Sequence, residues 1–296
     1  MAKTSKAKGE KEGRMTVREF FARWSDDEKC LQHLMDVRYG MRHVCRKCGV
    51  NSTFHRLADR RAFSCANCGD HVYPTAGTIF QDTRTPLQVW FYAIYLFAVT
   101  RHSVSGKELE RTLGVTYKTA WRMAFHIRSL MMKADGFEKL QGFVEADKAY
   151  VGCRQSREDQ RRLGSNKTIV MGLKEHGGRM HAEPVPSTSL HSLRKTVLRT
   201  VERGSAVSTD EWQGYNLLTE ESYEHVSVHH ASGEYARSEA HTNHVESFWR
   251  LFKNSIASTH IHVSAKYMQF YLREFTFRQN HRQMQNAMFD LLIACV

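Results

Sequence analysis

Apolar residues recur with helical spacing toward both ends of the chain and with strand spacing between them. From Thr16 to Tyr39 the pattern predicts two short helices, with Ser25 and Glu28 spaced as a capping box ahead of Leu31, Leu34 and Met35. Thr85 as N-cap and Pro86 in the first turn open a third helix, which carries the apolar run to about Val99. A short helix from Ser105 to Gly114 and a longer one from Thr116 to Met132 follow, joined by a tight turn at Gly114 and Val115. From Gly142 the period falls to two. Strands are predicted near 143–151, 168–174 and 179–185, then a helix near 189–202 and strands near 206–210 and 225–230. The last strong pattern, Glu239 to Ile256 (EAHTNHVESFWRLFKNSI), contains no Pro or Gly. Val245, Phe248, Leu251, Phe252 and Ile256 form its apolar stripe, and Glu246, Trp249, Arg250 and Lys253 an adjoining face.

Cysteines change the picture between the second and third helices. Cys45-Arg-Lys-Cys48 and Cys65-Ala-Asn-Cys68 are paired knuckles separated by a basic, strand-like segment, and four thiolates at this spacing close a tetrahedron around a structural zinc ion. A redox C-x-x-C would need only one such motif and a βαβ setting that is missing here. Cys30, Cys153 and Cys295 have no paired spacing. Within the ribbon, Arg56, Arg60 and Arg61 are candidates for DNA contact, with a solvated surface as the alternative.

Charge then narrows the class of partner. The 296 residues include 43 Lys and Arg against 31 Asp and Glu, a formal charge of +12 spread along every segment, which favours an extended nucleic acid over a small acidic ligand or a membrane surface. The basic N-terminus is followed by no apolar stretch of a secretory signal, and the run ending at Val99 is shorter than the roughly 20 residues of a bilayer span. The expected location is cytoplasmic, with no membrane partner. The short-helix, Gly-turn, long-helix arrangement is a helix-turn-helix pattern, a pattern also common in helical pairs that never touch DNA. In the DNA-binding reading Tyr117, Lys118 and Arg122 lead the recognition helix. Arg161 and Arg162 sit in a charged segment between the first two strands of the α/β region, a solvated loop or a phosphate contact.

The candidate chemistry is carboxylate-based. Asp147 in the first of those strands, Asp210 at the end of the fourth and Glu246 in the late helix bring one acid each from three elements, the oxygen donor set that a divalent-cation site for phosphoryl transfer requires. Glu145 shares a strand face with Asp147 and is a rival third acid. Lys253 lies seven residues, or roughly 10 Å of helix rise, beyond Glu246, too far for a ligand and suited to a nearby DNA strand. No P-loop, GxGxxG or HExxH motif supports nucleotide-driven or zincin chemistry.

Asp147, Asp210 and Glu246 with the trailing Lys253, together with the phrases GTIF, TPLQVW, SGKELERTLGVTYKTAWRM, TDEWQGY and HTNHVESFWRLFK, resemble the ISXO2-like DDE transposases of the IS1595 family. The resemblance runs from the ribbon nearly to the end of the chain. It implies an α/β RNase H-like catalytic core preceded by a zinc ribbon and an α-helical helix-turn-helix domain. The corresponding segments are a disordered basic arm at 1–15, N-terminal helices at 16–40, the ribbon at 41–82, the helix-turn-helix domain at 83–135 and the catalytic domain with C-terminal helices at 140–296. It further implies binding of terminal inverted repeats, strand cleavage and transfer with Mg or Mn held by Asp147, Asp210 and Glu246, and a homo-oligomer that synapses element ends with target DNA. Two rivals remain open: a zinc-ribbon, helix-turn-helix regulator with an inactive α/β domain, and a nuclease of the same fold.

Overall fold

The computed structural model describes residues 15–100, 102–152, 167–209, 223–227, 242–260, 263–284 and 287–296. They fall into two units, one drawn from residues 1–101, 106–127 and 283–296 and the other from residues 102–105 and 128–282.

Side-chain caps set the helix starts in the first unit. Thr16 accepts from the Glu19 amide while the Glu19 carboxylate takes the Thr16 amide, a reciprocal box that opens α1 (Val17–Arg23). Helix α2 (Asp27–Arg38) is opened not by the expected Ser25 and Glu28 but by Asp26, whose carboxylate accepts from the Lys29 amide at 2.8 Å. Ser25 instead donates to Asp26, and Glu28 pairs with Arg56. A carboxylate is the stronger acceptor at a helix N-terminus, so it displaces the hydroxyl one residue earlier. Helix α3 (Leu87–Val99) has Pro86 rather than Thr85 at its N-cap and no side-chain cap of its own; Asp27, from α2, accepts from the Gln88 amide at 3.0 Å.

Aromatic rings fill the space between these helices. Phe20 lies 5.2 Å from Trp24 and 5.0 Å from Tyr95, centroid to centroid, and Trp24 lies 4.6 Å from Phe289. Phe289 belongs to the last helix, α9 (Met288–Ala294), which therefore joins this unit and not the segment 140–296 with which it was expected. Burying Phe289 between Trp24 and Phe91 removes a large apolar surface from water, and that decides the placement. The ribbon is a four-stranded antiparallel sheet, β1 (Arg42–Val44), β2 (Asn51–Leu57), β3 (Ala62–Cys65) and β4 (His71–Val72). Helices α4 (Gly106–Leu113) and α5 (Tyr117–Asp135) flank Gly114, whose φ of 66° is a conformation that glycine adopts without strain.

The second unit is a mixed five-stranded sheet with helices on both faces. Strands β5 (Phe143–Val151), β6 (Thr168–Glu175), β7 (Met180–Pro184), β8 (Ala206–Thr209) and β9 (Glu224–Ser227) lie in the order β7-β6-β5-β8-β9, with β5 antiparallel to β6 and parallel to β8. Alternation sorts the side chains. Val144, Ala146, Met171 and Leu173 meet α6 (Leu190–Thr200) through Leu193 and Val197 on one face. Ala149, Val151, Val170 and Ala182 meet α7 (Asn243–Ser255) and α8 (Met268–Asn280) on the other.

The apolar stripe of α7 is rotated from its expected position. Leu251 is 44% exposed, whereas Trp249, expected on the charged face, is 4% exposed. The reason lies in β6. A Cβ placed on Gly172 would stand 2.6 Å from the Trp249 ring and 3.1 Å from Val245, so the helix seats its indole on bare backbone.

A buried polar knot holds the C-terminal side of this unit. The Glu274 carboxylate accepts from Arg128 Nε at 2.8 Å, from Arg278 at 2.9 Å and from Ser103 Oγ at 2.9 Å, and the Arg128 guanidinium lies 4.2 Å from the Tyr271 ring centroid. Burial pushes the Glu274 carboxyl pKa up, but the charges of Arg128 and Arg278 with the Ser103 bond outweigh it and leave it lowered.

Replacing Gly172 with Ala is expected to destabilise the protein by about 1–3 kcal/mol, the range for overpacking, although Ala is otherwise favoured over Gly in a strand. Denaturant unfolding followed by tryptophan fluorescence measures it, and an unchanged midpoint would show that α7 does not depend on this contact.

Candidate functional site

Two clusters of chemistry-bearing residues emerge, one in each unit. In the ribbon, the repeated sequence C-x-x-C-G folds into matching turns. Gly49 and Gly69 take φ of 71° and 72°, and their amides return to the carbonyls of Cys45 and Cys65 at 2.9 Å each. The four sulfurs of Cys45, Cys48, Cys65 and Cys68 lie within 4.8 Å of one another. The Cys45 and Cys68 sulfurs are 3.7 Å apart, matching the separation of about 3.8 Å that two sulfurs have on a tetrahedron with bonds of about 2.3 Å. The thiols around this point shift in opposite directions. A hydrogen bond from Ser52 is the main cause that lowers Cys65 to about 6. At Cys68 the Asp70 amide favours the thiolate, yet burial and the sulfurs of Cys48, Cys45 and Cys65 outweigh it and push the thiol up to about 12. Four negative sulfurs at one point need a cation, and the donor set fits zinc. Cys30 stands apart: burial, then Asp27 and Asp26, push its thiol up to about 12, out of the reactive range.

The ribbon arginines proposed for DNA contact are engaged within the protein. Arg56 pairs with Glu28 at 2.6 Å, Arg60 with Asp59 at 2.6 Å and Arg61 with Asp27 at 3.1 Å. Two of these pairs tie the ribbon to α2. On α5, Tyr117, Lys118 and Arg122 are exposed, and Thr116 accepts from the Thr119 amide to cap the first turn. Tyr117 packs on Gly106 and lies under the Lys107 ammonium, 4.8 Å from ring centroid to nitrogen. Lys118 and Arg122, four residues apart, share a helix face.

In the second unit the acids gather about one end of α7. Glu145 and Asp147 project from β5 toward the α7 side of the sheet, as alternation requires. Glu145 is completely buried. Its carboxylate accepts from the amides of His244 at 3.0 Å and Val245 at 3.2 Å and contacts His244 Nδ1 at 2.6 Å. Thr242, the residue at the N-cap, makes no side-chain cap bond to these amides, so an acid from the sheet supplies the cap and places negative charge at the positive end of the helix dipole. The Thr242 hydroxyl is turned to Glu246 instead, at 2.9 Å.

The result separates the two glutamates. Glu145 is committed to holding the helix, while Glu246, in the first turn, is exposed. Asp147 is half-buried two residues beyond Glu145 on β5, its Oδ1 taking the Lys148 amide, and it pairs across the ladder with Gly172. Lys253 is exposed two turns along α7. Lys174, opposite Glu145, is buried, donates to the Gly178 carbonyl and has its pKa lowered mainly by burial. Asp210, Arg161 and Arg162 lie outside the described residues; the last described residue of β8, Thr209, pairs with Ala146. Sequence reasoning did not single out Gly172 or the anchoring role of Glu145. The glycine inside a strand was the available signal for the first.

Residues 25–71 match the transposase zinc-ribbon domain, and residues 139–280 match the ISXO2-like transposase domain. A protein with a zinc-ribbon domain followed by a mixed α/β transposase domain is thereby defined. The chain thus carries two domains that match those of the IS1595 family of ISXO2-like transposases. It is also 27% identical, over 83% of its length and 88% of the relative's, to an uncharacterized protein in transposable element ISH50 of Halobacterium salinarum. Among the described residues, no helix is long and apolar enough to cross a membrane.

Two outcomes are expected. Purified protein should carry one zinc, lost on replacing both Cys65 and Cys68 with Ser and retained when Cys30 and Cys295 are changed; metal analysis of each variant decides. Glu145→Gln should cost about 1–3 kcal/mol, because a buried charged acceptor for two helix amides is lost. Equilibrium unfolding that shows no loss would remove the anchoring role.

Proposed function

We propose that the protein binds the terminal inverted repeats of an insertion sequence and catalyses divalent-metal-dependent cleavage and strand transfer of DNA. The observation that carries this reading is the bond from Glu145 to the first amides of α7, which brings the turn bearing Glu246 against the strand bearing Asp147. Asp210 follows directly on Thr209, whose strand is parallel to β5 and paired with it. In this reading Asp147, Asp210 and Glu246 hold the cations, and oxygen donors on separate elements suit hard divalent ions. Magnesium or manganese, when bound there, would activate a water or a 3′-hydroxyl and stabilise the leaving oxygen. Exposed Lys253 would hold the DNA strand beside the acids.

The strand order β7-β6-β5-β8-β9, with three antiparallel strands and two parallel additions, supports an RNase H-like core. Helices α4 and α5 about Gly114 support a helix-turn-helix, in which Tyr117, Lys118 and Arg122 would contact element ends, and Arg161 and Arg162 would add phosphate contacts. Synapsis of two ends would require more than one copy of the chain, and action on resident DNA would place it in the cytoplasm.

Asp147→Asn, Asp210→Asn and Glu246→Gln should each reduce magnesium-dependent cleavage of a labelled element end to the level seen without metal, while end binding stays intact. Undiminished cleavage by either aspartate variant would overturn the site.

A further inference from the structure

Thr242 stands at the N-cap of α7, a position where a threonine hydroxyl ordinarily accepts from an amide of the first turn. Here it makes no such bond, because the buried Glu145 carboxylate has taken the amides of His244 and Val245. The hydroxyl is thereby released for a different partner. It donates to Glu246 Oε1 at 2.9 Å, and the Glu246 amide donates to the Thr242 carbonyl at 3.0 Å. The same two residues are thus joined twice, through the backbone and through their side chains.

Chemistry fixes the direction of the side-chain bond. An ionised carboxylate only accepts, so the hydroxyl proton points at Glu246; the bond draws on one lone pair of Oε1 and leaves the carboxylate enough acceptor capacity to ligate a cation. Thr242 is 1% exposed, so water does not compete for its hydroxyl, and a β-branched side chain has few χ1 positions in which to turn it elsewhere. Glu246 is exposed, and a glutamate is among the side chains that lose most freedom on being fixed. A rigid, dry donor therefore restrains a long, wet acceptor.

We infer that Thr242 is a positioning residue for the Glu246 carboxylate, holding one of its oxygens so that the group meets a divalent cation already oriented. This rests on the metal-binding reading proposed for Glu246. Hydrogen bonds to a ligating carboxylate orient it, and losing one weakens metal binding by about ten- to hundredfold. The Glu145 anchor gains a second consequence: by capping α7 from the sheet, it frees the hydroxyl that sets Glu246.

The test uses full-length, zinc-loaded protein and manganese alone, titrated without DNA and followed by electron paramagnetic resonance of the free ion. The parent should bind saturably, and Glu246→Gln more weakly. Thr242→Val, which keeps the shape and removes the hydroxyl, should weaken binding about ten- to hundredfold, whereas Thr242→Ser, which keeps the hydroxyl, should bind close to the parent. In a Glu246→Gln background Thr242→Val should cost much less than it does alone, since the carboxylate on which it acts is gone. Circular dichroism confirms that each variant is folded, and Thr242→Ala replaces the valine should that one not be. Parent-like affinity in Thr242→Val beside weakened Glu246→Gln would overturn the positioning role and leave the carboxylate site standing. Equal losses in the Ser and Val variants, or a Thr242→Val loss of full size in the Glu246→Gln background, would also overturn it, since either marks a threonine that only shapes the helix start. A parent without saturable manganese binding, or a Glu246→Gln protein that binds as the parent does, would remove the metal reading of Glu246 and this inference with it.

Discussion

The seating of α7 on the sheet is the constraint on which the second unit depends. Two contacts of different kinds fix it. At the helix start, the buried Glu145 carboxylate takes two backbone amides and the His244 ring. One turn on, Trp249 lies on Gly172. Charge-assisted hydrogen bonds of this sort contribute about 1.5–3 kcal/mol each, and burial of an indole contributes a comparable amount. Together they fix both the depth of the helix and its rotation. Glu246 falls between the two anchor points, so its backbone position follows from theirs, and the Thr242 hydroxyl bonds its carboxylate at 2.9 Å.

The ribbon solves a different problem. Its strands are short, β1 and β4 bury no residue, and a segment of this size cannot bury enough apolar surface to hold itself together. Four thiolates and a cation supply what the core lacks. The pairs Arg56–Glu28 and Arg61–Asp27 then fasten it to α2, whose Asp27 also caps α3. Asp27 thus serves two neighbours at once. Partly exposed pairs contribute little individually, but here they fix an orientation that a small sheet would not otherwise keep.

Much of this arrangement is legible in the residues themselves. The cysteine spacing places all four thiols, and the switch in period locates the five strands to within a few residues, because thiol spacing and strand alternation are local properties. What is set by distant partners is not legible in the same way. Helical spacing finds an apolar stripe on α7 but cannot say whether Leu251 or Trp249 turns inward until the bare backbone of Gly172 is opposite. Alternation puts Glu145 and Asp147 on one face without showing which carboxylate is consumed by helix amides. Arg56 and Arg61 read as free charge because their acids lie some thirty residues earlier in the chain. Ser25-x-x-Glu28 satisfies a capping pattern that Asp26 satisfies better.

The knot around Glu274 bears on how this chain can change over generations. Arg128 and Glu274 are both almost wholly withdrawn from water, and Arg278 and Ser103 share the same carboxylate. Losing either partner alone strands a charge in a low-dielectric interior, at a cost of about 3–5 kcal/mol, whereas exchanging the set together for apolar residues of similar volume can be neutral. Single substitutions in this region are therefore dead ends, separated from viable alternatives by a valley that only concerted replacement crosses. Lineages of this protein should keep the knot whole or discard it whole.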